Sequence, residues 1–300
     1  MENIKEKLSG VFAPMTTPFE EDKLLFDGLI TNIDKMNETG LKGYFVLGTN
    51  GEYKSLSVEE RIMILKTVAR NKKSEKVLMA GTGMESTKET IEMTLKASDA
   101  GTDMVSLLMP HFFSSRMTDD VLTHYIIDIA DASPVPVLIY NNPSVAAGVT
   151  VTPQVIQRVS AHPNVAGMKD SSKGNFKSYI EAAKDGLYVL AGSANFFLDL
   201  LMAGGIGGVL SLANVFPDEC VKMYEAFVKG SIDEAKKINE RIVGLNKVVS
   251  GTYGVAGVKA AMDMVGFIGG APRRPLNGLT VSEKSQLHKE LRERGFLHKK

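Results

Sequence analysis

The chain has 300 residues, 44% of them hydrophobic, with 35 basic and 35 acidic side chains and a formal net charge of zero. That length supports one large α/β unit with a sizeable core, and the even charge balance excludes a broadly basic face for nucleic acid. A single cysteine, Cys220, excludes an intramolecular disulfide framework. From the mixed-charge start Met1 to Lys7 no signal peptide is expected, and no stretch approaches the ~20 apolar residues needed to cross a bilayer. A cytoplasmic protein is expected.

In chain order, Val11 to Pro18 is a short apolar segment stopped by prolines. Asp27 to Glu38 carries Leu29, Ile30, Ile33 and Met36 at helical spacing, with Gly40 just past its end. Gly43 to Gly48 is a buried strand, followed by the turn Thr49-Asn-Gly-Glu52. Ser57 and Glu60 spell a capping box and open a helix to about Ala69. Next come a strand at Lys76 to Gly81, a helix at Ser86 to Ala100 and a strand at Met104 to Met109. A helix at Thr118 to Asp131 precedes a strand at Val135 to Tyr140.

Thr152-Pro153 starts another helix, the threonine as cap and the proline at its first position. Val165 to Lys169 reads as a strand, with Asp170, Ser171 and Ser172 supplying turn chemistry and an N-cap for a helix at Asn175 to Lys184. Strands at Leu187 to Gly192 and Gly208 to Leu212 follow, separated by the tight turn Gly204-Gly-Ile-Gly-Gly208. Eight apolar strands alternating with helices or turns predict an α/β fold, a (β/α)8 TIM barrel. An open doubly wound sheet is the rival, and it lacks a Gly-x-Gly-x-x-Gly after the first strand. The strands stop near residue 216. Helices at Met223 to Val228, Ile232 to Val249, Val255 to Met264 and Ser282 to Arg294, with a loop at Pro272-Arg-Arg-Pro275, form a C-terminal helical extension. The division drawn is a barrel over 1–224 and a helical region over 225–300.

Sites on such barrels sit at the C-terminal ends of the strands. There the sequence puts Thr16-Thr17, Thr49 to Glu52, Gly81-Thr82, Pro110 to Phe113, Tyr140 to Pro143, Lys169 to Ser171, Gly192-Ser193 and Ser211. A lysine ending a buried strand either snorkels to water or serves chemistry, because burying an ammonium costs several kcal/mol unless it is paired or loses its proton. A desolvated lysine is a nucleophile for carbonyl carbon: it condenses with a ketone, and the iminium withdraws electrons from the neighbouring carbon. Making or breaking a C–C bond there needs an acid/base, for which Tyr140 is the candidate and Thr49 the relay. The Thr49-Asn50-Gly51 turn offers backbone amides to a carboxylate. Ser171, Gly192 and Leu210 complete the expected substrate-binding set.

Other chemistries lack their residues. Five histidines (His111, His124, His162, His288, His298) make no His-x-His or Glu-x-x-His pair, so no metal site is expected, and neither a Walker loop nor a Gly-x-Ser-x-Gly elbow is present.

Gly48-Thr-Asn-Gly-Glu52, Tyr140-Asn-Asn-Pro143, Gly167-Met-Lys-Asp-Ser171, Ala191-Gly-Ser193, Pro14 to Pro18 and Gly208 to Asn214 together resemble the dihydrodipicolinate synthase and N-acetylneuraminate lyase superfamily of Schiff-base pyruvate aldolases. The resemblance spans the whole chain, including the helical extension. It implies Lys169 as the Schiff-base residue, Tyr140 as acid/base, and Thr49 with Asn50 around the oxo acid's carboxylate. It also implies a cytoplasmic homotetramer, a dimer of dimers, with a small 2-oxo acid substrate and no metal or organic cofactor. Two positions depart from the synthases. Val145 stands where they carry an arginine for the semialdehyde carboxylate, and Phe112 where they carry a relay tyrosine, so that either a water or His111 substitutes or the reaction differs from theirs. Asn50 and the run Ser193 to Asn214 are most similar to 4-hydroxy-2-oxoglutarate aldolases, with Ser171, and Arg116 from a neighbouring subunit, facing a distal carboxylate or hydroxyl. The expected function is a lyase on 4-hydroxy-2-oxoglutarate. The alternatives are a dihydrodipicolinate synthase, a sugar-acid lyase or dehydratase, and a silent barrel that binds keto acids.

Overall fold

The computed structural model describes residues 4–172, 174–183 and 186–297. Eight parallel strands close on themselves: β1 Gly10–Pro14, β2 Gly43–Val46, β3 Val77–Gly81, β4 Met104–Leu108, β5 Val137–Asn141, β6 Val165–Asp170, β7 Tyr188–Ala191 and β8 Gly207–Val209. β1 pairs with both β2 and β8, which leaves no free edge. The expected TIM barrel with a C-terminal run of helices is therefore the fold.

Two apolar layers explain why the strands are continuously hydrophobic. Inside the barrel, Phe12, Phe45, Met79, Met104, Leu138, Ala166, Leu190 and Val209 fill the centre, with Leu8 of the short helix Ile4–Leu8 packed among them. Outside it, a larger cluster joins the strands to the surrounding helices and takes in Ile242, Leu245, Val258 and Leu287 of the helical extension. Both faces of each strand are thus covered. The helix Pro217–Val228 runs across the 224/225 division, and its proline occupies the first turn.

Helix boundaries follow local chemistry. Ser57 and Glu60 form the reciprocal capping box of Val58–Asn71, and Thr152 accepts from the Val155 N–H at the start of Pro153–Val159. The glycine-rich turn after Phe197–Met202 leads into β8 at the end of the barrel opposite the strand C-termini, as expected. A Cβ on Gly207 would stand 2.5 Å from the Gly10 carbonyl oxygen, so only glycine lets β8 approach β1 there.

β1 ends at Pro14, within the proline-stopped segment Val11 to Pro18 and just before Thr16-Thr17. Two expectations are corrected. Asp170 is the last residue of β6 rather than part of a cap, and Phe176–Ala182 starts after Asn175 without a side-chain cap bond; the expected helix end at Lys184 lies outside the described residues, as does His298. The helix expected over Ile232 to Val249 ends at Asn246 and passes into a π-turn, Lys247–Gly251. Ser250 there donates to the Asn246 carbonyl at 3.3 Å, a back-bond that widens the turn.

Candidate active site

A cavity of about 510 Å³ opens at the C-terminal ends of the strands. Thr49, Asn50, Tyr140, Lys169, Ser171, Gly192 and Ser211 line its floor, and Ser250, Gly254, Val255 and Leu276 of the helical extension close one wall. Residues distant in sequence meet because adjacent parallel strands bring their ends to one plane: Tyr140 of β5 is the register partner of Lys169 of β6.

Lys169 is buried, with its Nζ 3.7 Å from the Tyr140 ring centroid and 5.0 Å from that of Phe45. The Tyr140 hydroxyl lies 3.2 Å from Thr49 Oγ1 and accepts a hydrogen bond from Asn142 Nδ2 at 2.9 Å. Burial alone would raise the phenol's pKa. The charge of Lys169 and the hydrogen bonds from Thr49, Asn142 and Lys169 outweigh it, and the phenol is held below its ordinary value. An amine and an acidified phenol, both buried at the base of one cavity, can attack a carbonyl and move a proton beside it.

Next to this pair, Asn50 Nδ2 donates to Ser211 Oγ at 2.7 Å. Ser171 and Gly192 pack tightly: a Cβ on Gly192 would stand 1.9 Å from Ser171 Oγ, so glycine is what leaves the serine its place. Gly51 and Leu210 are not among the lining residues, and Leu210 is fully buried. Thr16 and Thr17 turn away from the cavity, toward Met262 Sδ and the Gly51 carbonyl respectively. The tandem threonines carry no mark in the sequence that would distinguish packing from lining.

Val145, the position expected to depart from the synthases, lines the cavity. Beside Lys169, Lys54 is the one further cationic residue among the lining residues, and it pairs with Glu85 at 3.3 Å. Glu85 also accepts from the His111 and Phe112 backbone N–H groups at 2.8 and 2.9 Å. His111 Nδ1 lies 3.0 Å from the Met109 carbonyl oxygen, and neither His111 nor Arg116 lines the cavity. Phe112 and Phe113 stand exposed outside it.

Sequence reading missed the polar layers around this floor. Asp170, fully buried, accepts from Asn141 Nδ2 and the Ser172 N–H at 2.9 and 3.1 Å through one oxygen, while its other oxygen has no hydrogen-bond partner among the described residues. Burial raises its pKa. Glu52 and Lys259, each with a side chain 1% exposed, pair at 2.6 Å. Burial pulls the Lys259 ammonium down, against the charge of Glu52. A sequence separation of 207 hid this pair, since nothing local marks Lys259 as anything but a helix residue.

A sequence profile of the dihydrodipicolinate synthetase family matches residues 7–294. The 4-hydroxy-tetrahydrodipicolinate synthase of Archaeoglobus fulgidus is 32% identical over 286 residues, covering 94% of this chain and 96% of that protein. The probable mitochondrial 4-hydroxy-2-oxoglutarate aldolase of Emericella nidulans is also 32% identical, over 296 residues that cover 95% of this chain and 94% of the other. Among solved structures, dihydrodipicolinate synthase from Bacteroides thetaiotaomicron superposes with a TM-score of 0.88 at 28% identity, covering 95% of this chain and 98% of that one. The chain belongs to the dihydrodipicolinate synthetase family, and it is a lyase of the Schiff-base pyruvate aldolase superfamily.

Proposed function

We propose that Lys169 forms the Schiff base and that the reaction is cleavage or synthesis of a 2-oxo-4-hydroxy acid, with 4-hydroxy-2-oxoglutarate the first substrate to test. The observation that carries this reading is Lys169 Nζ lodged 3.7 Å from the Tyr140 ring, with the Tyr140 hydroxyl in reach of Thr49. In the cleavage direction the amine adds to the C2 carbonyl, water leaves, and an iminium forms. Tyr140, with Thr49, takes the C4 hydroxyl proton as the C3–C4 bond breaks. The bonding pair moves into the iminium to give an enamine, and glyoxylate departs. Protonation at C3 and hydrolysis release pyruvate and the free lysine. Thr49, Asn50 and the Gly51 turn serve the C1 carboxylate, while Ser171 and Gly192 shape the side facing C4. Leu210 acts from behind the lining.

Val145, where the resemblance sets an arginine for the semialdehyde carboxylate, supports this substrate over aspartate semialdehyde, as does the name of the Emericella nidulans relative. The synthase reading keeps a specific support of its own, because relatives such as that of Archaeoglobus fulgidus carry that name at equal identity. Assaying pyruvate release from 4-hydroxy-2-oxoglutarate against condensation of pyruvate with aspartate semialdehyde separates the two. Faster turnover of the hydroxy-oxo acid is expected; efficient condensation with the semialdehyde, and none of the other, would reverse the assignment. A balanced charge and a lone, buried Cys220 suit a cytoplasmic enzyme, and a homotetramer is the proposed assembly.

A further inference from the structure

The turn that would hold the oxo acid's carboxylate is bracketed by two left-handed residues that are not glycine, Leu47 (φ 59°) and Glu52 (φ 53°). Each such residue costs about 1–2 kcal/mol of backbone energy and persists only where its surroundings hold it. For Glu52 the hold is visible. One carboxylate oxygen takes the Lys259 ammonium at 2.6 Å, and the other takes the Arg273 backbone N–H at 2.8 Å. Lys259 spends a second donor on the Ala271 carbonyl at 2.7 Å and lies 4.7 Å from the Phe19 ring centroid. Arg273 itself is clamped by Glu60 through two bonds of 2.7 and 2.8 Å. The anchors therefore come from the helical extension, the same segment whose Gly254, Val255 and Leu276 wall the cavity.

A buried ion pair of this kind is weak evidence for stability, because desolvation offsets most of its attraction, whereas removing one partner leaves an uncompensated charge. Its geometric consequence is larger. Glu52 follows directly on Thr49, Asn50 and Gly51, and its amide closes the turn on the Thr49 carbonyl at 3.1 Å. We propose that Lys259 and Glu52 are positioning residues for substrate binding: the pair locks the Thr49–Gly51 turn and ties the cavity's helical wall to its floor, so that it sets affinity for the 2-oxo acid through the geometry of that turn, their own charges being taken up by each other. This rests on the reading of that turn as the carboxylate site.

The test measures two quantities on the full chain: the Kd for pyruvate by calorimetric titration, and the rate of adduct formation on Lys169 under borohydride at saturating pyruvate. Glu52→Gly removes the anchor while keeping a residue that adopts a left-handed conformation freely, so it carries the test if Lys259→Met does not fold. For folded variants the expected result is a Kd raised about tenfold or more, the scale of one modest lost interaction, with the saturating rate within about threefold of the parent. Variants with a lowered melting temperature but an unchanged Kd would overturn the proposal, since that is the outcome of a purely structural role. A parent that binds pyruvate yet forms no adduct, with variants weakened as expected, would sink the Schiff-base reading and leave this one standing. A parent that does not bind pyruvate would overturn both.

Discussion

Lys169 stands one residue before the end of a buried strand, among aromatic rings and with no carboxylate ion-pair partner among the described residues, and that setting is what makes it a nucleophile candidate rather than a structural cation. Its neighbour Tyr140 carries the proton side of the argument. Tyr140→Phe removes the hydroxyl but keeps the ring, and is expected to lower kcat by about 10²–10⁴, the usual worth of one acid/base group, while the adduct on Lys169 still forms. Steady-state kinetics beside trapping checks both halves, and loss of the adduct with kcat would show that the hydroxyl serves condensation too. A lowered phenol pKa has a definite sign in stability. Its stabilisation is present above the unfolded value of 10.0 and is lost as pH falls through the folded value. Melting temperatures of parent and Tyr140→Phe should therefore diverge in the parent's favour as pH climbs through that alkaline range. Lys169, Tyr140 and Thr49 were legible because each follows an apolar run that ends in a turn. Lys259 was not, because its partner is distant in sequence and its own helix offers no such mark.

At the scale of elements, the capping box was legible to the residue, since Ser57 and Glu60 satisfy helix N–H groups whose need is local. Ser57→Ala should cost about 1 kcal/mol, read as a shift in denaturant midpoint; an unchanged midpoint would mean that Arg273, gripping Glu60, already fixes that helix start. The end of β6 was misread for the opposite reason. Asp170 looks like a cap in sequence, but the register with β5 carries the strand one residue further and sets its carboxylate against Asn141, whose amide also reaches the Tyr179 hydroxyl. Burial raises its pKa, so the stabilisation linked to its proton is present below 3.8 and lost as pH rises through the folded value. Asp170→Asn keeps the acceptor for Asn141 without the charge and is expected to remove that loss. The variant's melting temperature should overtake the parent's between pH 3 and 7 by roughly 2–4 °C per kcal/mol recovered; a variant that melts lower throughout would show the carboxylate to be needed.

The whole molecule was the most legible level, because eight apolar strands at regular spacing leave few ways to cover both faces and close the edges. The covering of the cavity by Gly254, Val255 and Leu276 was not, since the sequence of a helical tail says nothing about where it docks. Phe112 and Phe113, 75% and 67% exposed with ring centroids 5.0 Å apart, are expected to be buried against a second copy of the chain in the proposed tetramer. Replacing both with Glu should shift the sedimentation profile to smaller species. A parent that sediments as a monomer would contradict the proposed assembly.

Borohydride reduction in the presence of pyruvate, followed by peptide mass analysis, bears most directly on the central claim. The account predicts one pyruvate-derived increment on the peptide bearing Lys169, absent in Lys169→Arg, which should keep the fold. An unmodified Lys169, or turnover that survives in Lys169→Arg, would contradict it.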